Sequence, residues 1–367
     1  MVDIEYSADD PLLMIPGPTP VSAAVREALG LPVRGHATPQ VAAGLARIRE
    51  GIRRVAGAPE HDVYILPGSG TLAMEAALVN HVRPGERVVV VNHGYFADRF
   101  VDICAVHGIE VEQVRAQWGE AVNRQDVERA LATGGPPALL VVTHVDTSTG
   151  TMAEVPELAA IAREAGTAVL LDGVCATGGV DEDLNGWGID LLVTASQKAL
   201  GVPPGLAVLA SSPRAREWRA RPGIVPGYYT DLDRWDAPMT STAYFATHAT
   251  SLLRALEVSL EEILAEGLEA RFQRHQRVAA HARRGFAGLG FDAVTDIAAV
   301  APTLSVLTPP AGIDEAGLRA GMLQRGVLVA GGIGPLAGRA VRVGHMGTVA
   351  EAEVDLAIAA AAGAMGR

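Results

Sequence analysis

The chain has 367 residues, 49% of them apolar, enough to bury the core of one large α/β unit with a smaller companion. Its 30 basic and 42 acidic side chains give a formal charge of −12, which lacks the basic footprint of a nucleic-acid binder and mainly favours solubility. Cys104 and Cys175 make neither a disulfide scaffold nor a C-x-x-C pair, Met1–Glu5 is acidic where a signal peptide is basic, and no apolar run reaches the ~18 residues of a membrane span, so a cytoplasmic protein is expected.

Taken in chain order, residues 1–21 form an extended or turn-rich arm, because the prolines of Pro16-Gly17-Pro18-Thr19-Pro20 bias their predecessors away from helix. From Asp62 onward, β-branched runs at 63–66, 87–91, 139–143, 168–171, 191–194 and 206–209 predict strands. Helical periodicity at 71–81, 97–107 and 155–165 separates several of them. That alternation predicts a mostly parallel sheet covered on both faces. A long helix-forming stretch over 247–285 leads to strands at 303–307, 327–330 and 340–343, with helices at 315–325 and 350–365. The expected division is an arm at 1–21, a large domain at 22–250 and a small α+β domain at 251–367.

Lysine occurs once, at position 198, among 29 arginines. Biased codon usage explains the arginines but not the exception. Where a neutral amine is required only lysine serves, since arginine is never deprotonated in proteins. Lys198 lies at a strand end in Thr194-Ala195-Ser196-Gln197-Lys198-Ala199-Leu200, backed by Pro203-Pro204-Gly205, among small and apolar neighbours that would lower its pKa.

Two other strand ends carry candidate chemistry. Leu66-Pro67-Gly68-Ser69-Gly70-Thr71 follows a strand and opens a helix, a place where backbone amides and hydroxyls hold a phosphate. It also matches G-x-G-x-x-A, but the next strand ends in Asn92 and His93 rather than the acid a nicotinamide ribose needs. Leu170-Leu171-Asp172 delivers one carboxylate at a strand end, with no companion at metal-ligand spacing, so no metal site is expected. Helix capping is the plain alternative for Asp172. Phosphate cup, carboxylate and lysine at successive strand ends are together the requirements of pyridoxal 5′-phosphate.

These residues resemble the class V aminotransferases of fold type I, most closely the alanine–glyoxylate and serine–pyruvate branch. The resemblance runs from Pro16-Gly17-Pro18 through Gly68-Ser69-Gly70, His144-Val145-Asp146-Thr147-Ser148-Thr149-Gly150, Asp172 and Ser196-Gln197-Lys198 to Arg342-Val343-Gly344. It implies the PLP-dependent transferase fold type I, with a mostly parallel seven-stranded sheet between helices and a small C-terminal α+β domain. It also implies that Lys198 bonds the cofactor and that Asp172 faces its ring nitrogen. Ser69, Gly70 and Thr71 would form the phosphate cup, with Gln197 reaching the cofactor from beside the lysine. Phe96 would stack on the ring, with Tyr95 as its stand-in if the register slips by one. Thr147 and Val174 would line the ring's edge and underside, and Gly17 and Arg342 would bind the substrate carboxylate. Tyr244 and Thr247 would complete the phosphate site of a partner subunit, which makes the enzyme a homodimer.

The activity so implied is amino transfer from alanine or serine to glyoxylate or pyruvate by a ping-pong mechanism. Same-fold alternatives are transfer from an aminophosphonate, ureidoglycine, pyridoxamine or a specialised metabolite, and a PLP-dependent lyase. Desulfurating relatives use a cysteine on a mobile loop, whereas Cys104 and Cys175 fall in helix and post-strand positions. A nicotinamide dehydrogenase lacks its acid here, and an inactive binding module has no use for the retained Lys198.

Overall fold

A computed structural model describes residues 6–367; the acidic start read at Met1–Glu5 lies outside the described residues. Seven strands form one sheet: β1 (Asp62–Pro67), β2 (Arg87–Asn92), β3 (Glu110–Arg115), β4 (Leu139–Thr143), β5 (Ala168–Asp172), β6 (Leu191–Ala195) and β7 (Leu206–Ser211). Their order is β1-β7-β6-β5-β4-β2-β3. β7 runs antiparallel to both neighbours, and the remaining pairs are parallel. Every residue of β4, β5, β6 and β7 is buried, as expected for strands with helices on both faces. Each fully buried Val or Leu there contributes roughly 1.5–3 kcal/mol of transfer free energy.

Six of these strands follow the β-branched pattern; β3 does not. Its residues, Glu110-Val111-Glu112-Gln113-Val114-Arg115, are polar because it is the sheet edge, and only Val114 is buried. Charge on an edge strand discourages pairing with other chains, and the same charge hides the strand from a hydrophobicity-based reading.

The stretch at 247–285 is two helices rather than one, Thr250–Glu266 and Leu268–Gly288, parted at Gly267, whose φ of +85° a helix cannot hold. Helix Thr250–Glu266, which a division at 250/251 assigns to the C-terminal part, buries Leu253, Leu256, Leu260 and Ile263 in the large-sheet core. The C-terminal core takes in Val278, Ala282 and Phe286 of the second helix, together with Leu12 and Met14 of the arm. Four short antiparallel strands form the C-terminal sheet, in the order Ala330–Gly331, Val341–Gly344, Leu304–Thr308, Asp292–Ala293.

The expected strand at 327–330 splits in two. Val327–Leu328 pairs parallel with Leu12–Leu13 of the arm, and Ala330–Gly331 joins the C-terminal sheet. The arm is thereby tied to both halves of the molecule. Gly344 N–H donates to the Met14 carbonyl at 2.8 Å, and Thr19 N–H donates to the Gln197 carbonyl at 3.2 Å. Residues 16–19 therefore cross directly over the loop that carries Lys198.

Candidate active site

The carboxyl ends of β1, β5 and β6 open into one cavity of about 300 Å³. Its wall includes Ser69, Gly70 and Thr71 after β1, Asp172, Val174 and Cys175 at β5, and Gln197 and Lys198 after β6. Gly17 and Pro18 close it from the arm. In an open α/β sheet, ligands bind at this end of the strands.

The first part is a helix start. Ser69 is the N-cap of helix Gly70–His81, yet its hydroxyl makes no capping bond. Leu72 N–H already donates to the Ser69 carbonyl at 2.9 Å, so the Ser69 hydroxyl and the Gly70 and Thr71 amides are left for a ligand, and an anion suits the positive end of the helix dipole. Gly68 N–H donates to the Gly205 carbonyl at 2.9 Å, so this turn is tied to the one behind the lysine.

The lysine loop is held from several directions. Ser196 Oγ donates to the Pro203 carbonyl at 2.8 Å and accepts Leu206 N–H at 3.2 Å. Thr19 Oγ1 donates to the Lys198 carbonyl at 2.9 Å, and Arg271 donates to the Ala199 carbonyl at 2.7 Å. The Lys198 side chain is 9% exposed and donates to the Pro16 carbonyl. Burial pulls its pKa below the usual 10.5; Arg342 adds to that pull, while Cys175 and Asp172 oppose it.

Asp172 ends β5, and its Oδ1 accepts the Val174 N–H at 3.0 Å. Burial raises its carboxyl to about 7; Asp146 pushes the same way, while the Val174 N–H, Lys198 and Arg99 pull down. The carboxyl accepts a short-range bond from a two-residue turn but caps no helix in the structure. A cation brought into the cavity would favour its ionised form.

Phe96 lines the cavity, whereas its neighbour Tyr95 is 42% exposed and does not. Both sit at the start of helix Tyr95–Val106, where Phe96 N–H donates to the buried Asp146 carboxylate at 3.0 Å. Thr147 and Val174 also line it, and Gln197 Oε1 is buried without a partner. Arg342, from strand Val341–Gly344, reaches across from the C-terminal sheet. Its Nε donates to the Gly331 carbonyl at 2.8 Å and its Nη1 to the Thr147 carbonyl at 3.4 Å. Tyr244, 62% exposed, and Thr247 stand outside this chain's cavity, with their hydroxyls 3.3 Å apart.

Sequence reasoning passed over Arg99 and gave Cys175 a post-strand position with no role in the site, and both line the cavity. Arg99 lies three residues after Phe96 on one helix, a spacing that puts the two on the same face. Cys175 follows Asp172 closely enough to share its wall; burial raises its thiol above the usual 9.0. His93 and His345 are both buried and off the cavity wall, and the His345 Nε2 is 2.9 Å from Ser305 Oγ.

A buried amine and a buried carboxyl on one cavity wall, with an uncapped helix start beside them, fit pyridoxal 5′-phosphate: the free donors suit its phosphate, and the unpartnered Gln197 Oε1 shows polar capacity that the protein itself leaves unused. Fold and site together define a PLP-dependent transferase of fold type I. The sequence matches the family described as aminotransferase class-V over residues 24–295. It is 34% identical to a chain of Synechococcus sp. named soluble hydrogenase, small subunit, over 96% of this chain and 92% of that one. It is 32% identical to an L-aspartate–glyoxylate aminotransferase of Paracoccus denitrificans, over 95% and 89%. The crystal structure of an alanine–glyoxylate aminotransferase from Nostoc sp. superposes with a TM-score of 0.92 at 32% identity, covering 99% of this chain and 96% of that one. The chain belongs to the class V aminotransferases. It is a PLP-dependent transaminase.

Proposed function

We propose that the enzyme moves an amino group from alanine or serine to glyoxylate or pyruvate in two half-reactions with ping-pong kinetics. One observation carries this reading: the chain's single lysine, a buried carboxyl and an uncapped helix start meet in one cavity of about 300 Å³. The volume suits the cofactor with a short substrate, and glyoxylate is the acceptor named for the Paracoccus and Nostoc relatives.

Bound pyridoxal phosphate supplies a carbonyl carbon that takes up amino groups and a ring that accepts the electron pair left at the substrate's Cα. Ser69, Gly70 and Thr71 hold its phosphate end, Gln197 reaches it from beside the lysine, Phe96 and Val174 cover its ring, and Thr147 lines the ring edge. Asp172, made reluctant to ionise by burial, is the anion that a protonated ring nitrogen would satisfy. Lys198, with its pKa lowered, has a neutral fraction that bonds the cofactor and later moves a proton at the substrate's Cα. Arg342 Nη2 makes no hydrogen bond among the described residues, so with Nη1 it is available to grip a carboxylate beside Gly17.

Tyr244 and Thr247, exposed beside each other, reach the phosphate end of a second subunit, which makes the working unit a homodimer. Two free, buried thiols suit the reducing cytoplasm as its location. A desulfurating lyase needs a mobile thiolate, whereas Cys175 is buried and its thiol is pushed up by that burial.

The test is to load the purified protein with pyridoxal phosphate and add amino donors one at a time, following the visible absorbance of the lysine-bound cofactor. Alanine or serine should bleach it, and glyoxylate or pyruvate should restore it. Double-reciprocal plots should be parallel. Intersecting lines would overturn the two-half-reaction scheme, and ammonia or sulfide release without amine transfer would point to a lyase.

A further inference from the structure

Arg99 is a cation on the cavity wall, close enough to Asp172 to favour its ionised form yet in no salt bridge among the described residues. Its Nη1 donates to Thr71 Oγ1 at 3.0 Å, and its guanidinium carbon stands 4.9 Å from the centre of the Phe96 ring. In having no ion pair among the described residues it differs from Arg219, which pairs with Asp233 and Asp236, and from Arg271, which pairs with Glu266, and is like Arg254 and Arg342, whose bonds go to backbone carbonyls. The bond from Arg99 uses the Thr71 hydroxyl as acceptor and leaves that hydroxyl's own proton free to point at the uncapped helix start. The guanidinium lies over the Phe96 ring at cation–π distance, and its donors other than Nη1 make no hydrogen bond among the described residues.

We propose that Arg99 is the charge-bearing ligand of the cofactor's phosphate end, acting beside Thr71. The inference rests on the reading of Ser69–Thr71 as the phosphate cup. A helix start supplies about half an elementary charge, whereas the phosphate of the cofactor carries nearly two negative charges at neutral pH. Within a half-buried cavity the difference calls for a full cation, and Arg99 is the one on the cup side, since Lys198 is committed to the cofactor's carbonyl and Arg342 lies beyond Thr147.

The test compares pyridoxal 5′-phosphate with pyridoxal, which lacks the phosphate, in binding to the cofactor-free protein, read by the absorbance of the Lys198-bound form. For the unsubstituted protein, pyridoxal 5′-phosphate should bind far more tightly. In Arg99→Gln that advantage should fall about 10- to 100-fold, the range of one or two charge-assisted hydrogen bonds, while pyridoxal binds as before. Arg99→Lys should fall between, because lysine keeps the charge but loses the fork and the flat face. Unchanged pyridoxal binding shows that the variant is folded. If Arg99→Gln keeps the full advantage, the inference is wrong while the cup stands. If the unsubstituted protein does not discriminate the two compounds, the cup itself is wrongly placed. If Arg99→Gln loses both compounds equally, Arg99 supports the fold and not the phosphate.

Discussion

A methyl group on Gly17 would stand 2.7 Å from Cδ and 3.0 Å from Cε of Lys198, two residues 181 positions apart whose contact sets where the amine lies. Gly17 also has φ +116°, which residues with a side chain rarely adopt. Gly17→Ala should therefore displace both the arm and the lysine. An ångström-scale misplacement of a reacting group costs about 100-fold in rate, and kcat should fall by that order. Steady-state rates, with cofactor content measured alongside, check this; a fully active Gly17→Ala would show that the arm does not place the lysine.

Lys198→Ala should lose the visible absorbance of lysine-bound cofactor and at least about 1,000-fold in turnover, since it removes both the covalent tether and the proton carrier. Lys198→Arg should be no better, because a guanidinium does not give up its proton. The circular dichroism spectrum of both should match the parent's. Turnover in Lys198→Ala above that limit would place the reacting amine elsewhere.

The Asp172 carboxyl gives a stability signature in the cofactor-free protein. Burial chiefly raises it from 3.8 to about 7, so across that window the folded chain keeps a proton that the unfolded chain has released. Stability from this group is fully present below 3.8 and is lost as pH rises towards 7. The loss is on the order of a few kcal/mol. Thermal melts of the cofactor-free protein should show Tm falling through that window, and Asp172→Asn should flatten the slope. A parallel pH profile for the variant would remove Asp172 as its source.

Arg342→Ala should raise KM for both the amino donor and the 2-oxo acceptor by roughly 10- to 100-fold, the worth of a lost charge-assisted contact, and leave the absorbance of the bound cofactor alone. Arg342→Lys should recover little, having no fork. A change confined to kcat would assign Arg342 a different task.

A shared active site predicts complementation. Lys198→Ala chains and Tyr244→Phe/Thr247→Ala chains should each be poorly active alone. Co-expressed and isolated as mixed dimers, they should regain activity, because one of the two sites then has its lysine from one chain and its tyrosine and threonine from the other. Mixed dimers as inactive as the parents would mean that each chain builds its site alone.

Much of this was legible before any coordinates. Val88–Val91 and Leu139–Val142 are apolar runs that only a sheet covered on both faces can use, and Asp172 and Lys198 each close such a run, where a parallel sheet binds ligands. The lone lysine among 29 arginines singled out the proposed reacting amine by chemistry, without geometry. What periodicity missed was placed by neighbours. The polar β3 is a strand because β2 offers it an edge, and residues 327–330 split because Leu12–Leu13 claims the first pair.

The sequence by itself determined the chemical groups and the strands that deliver them, because residue type and spacing act over a few positions. Only the tertiary structure decided that Gly17 presses on Lys198, that Arg99 rather than another of the arginines faces Thr71, and that Arg342 crosses from the C-terminal sheet to Thr147. Those contacts join residues 28 to 195 positions apart, and packing of whole elements, not local pattern, brings such residues together.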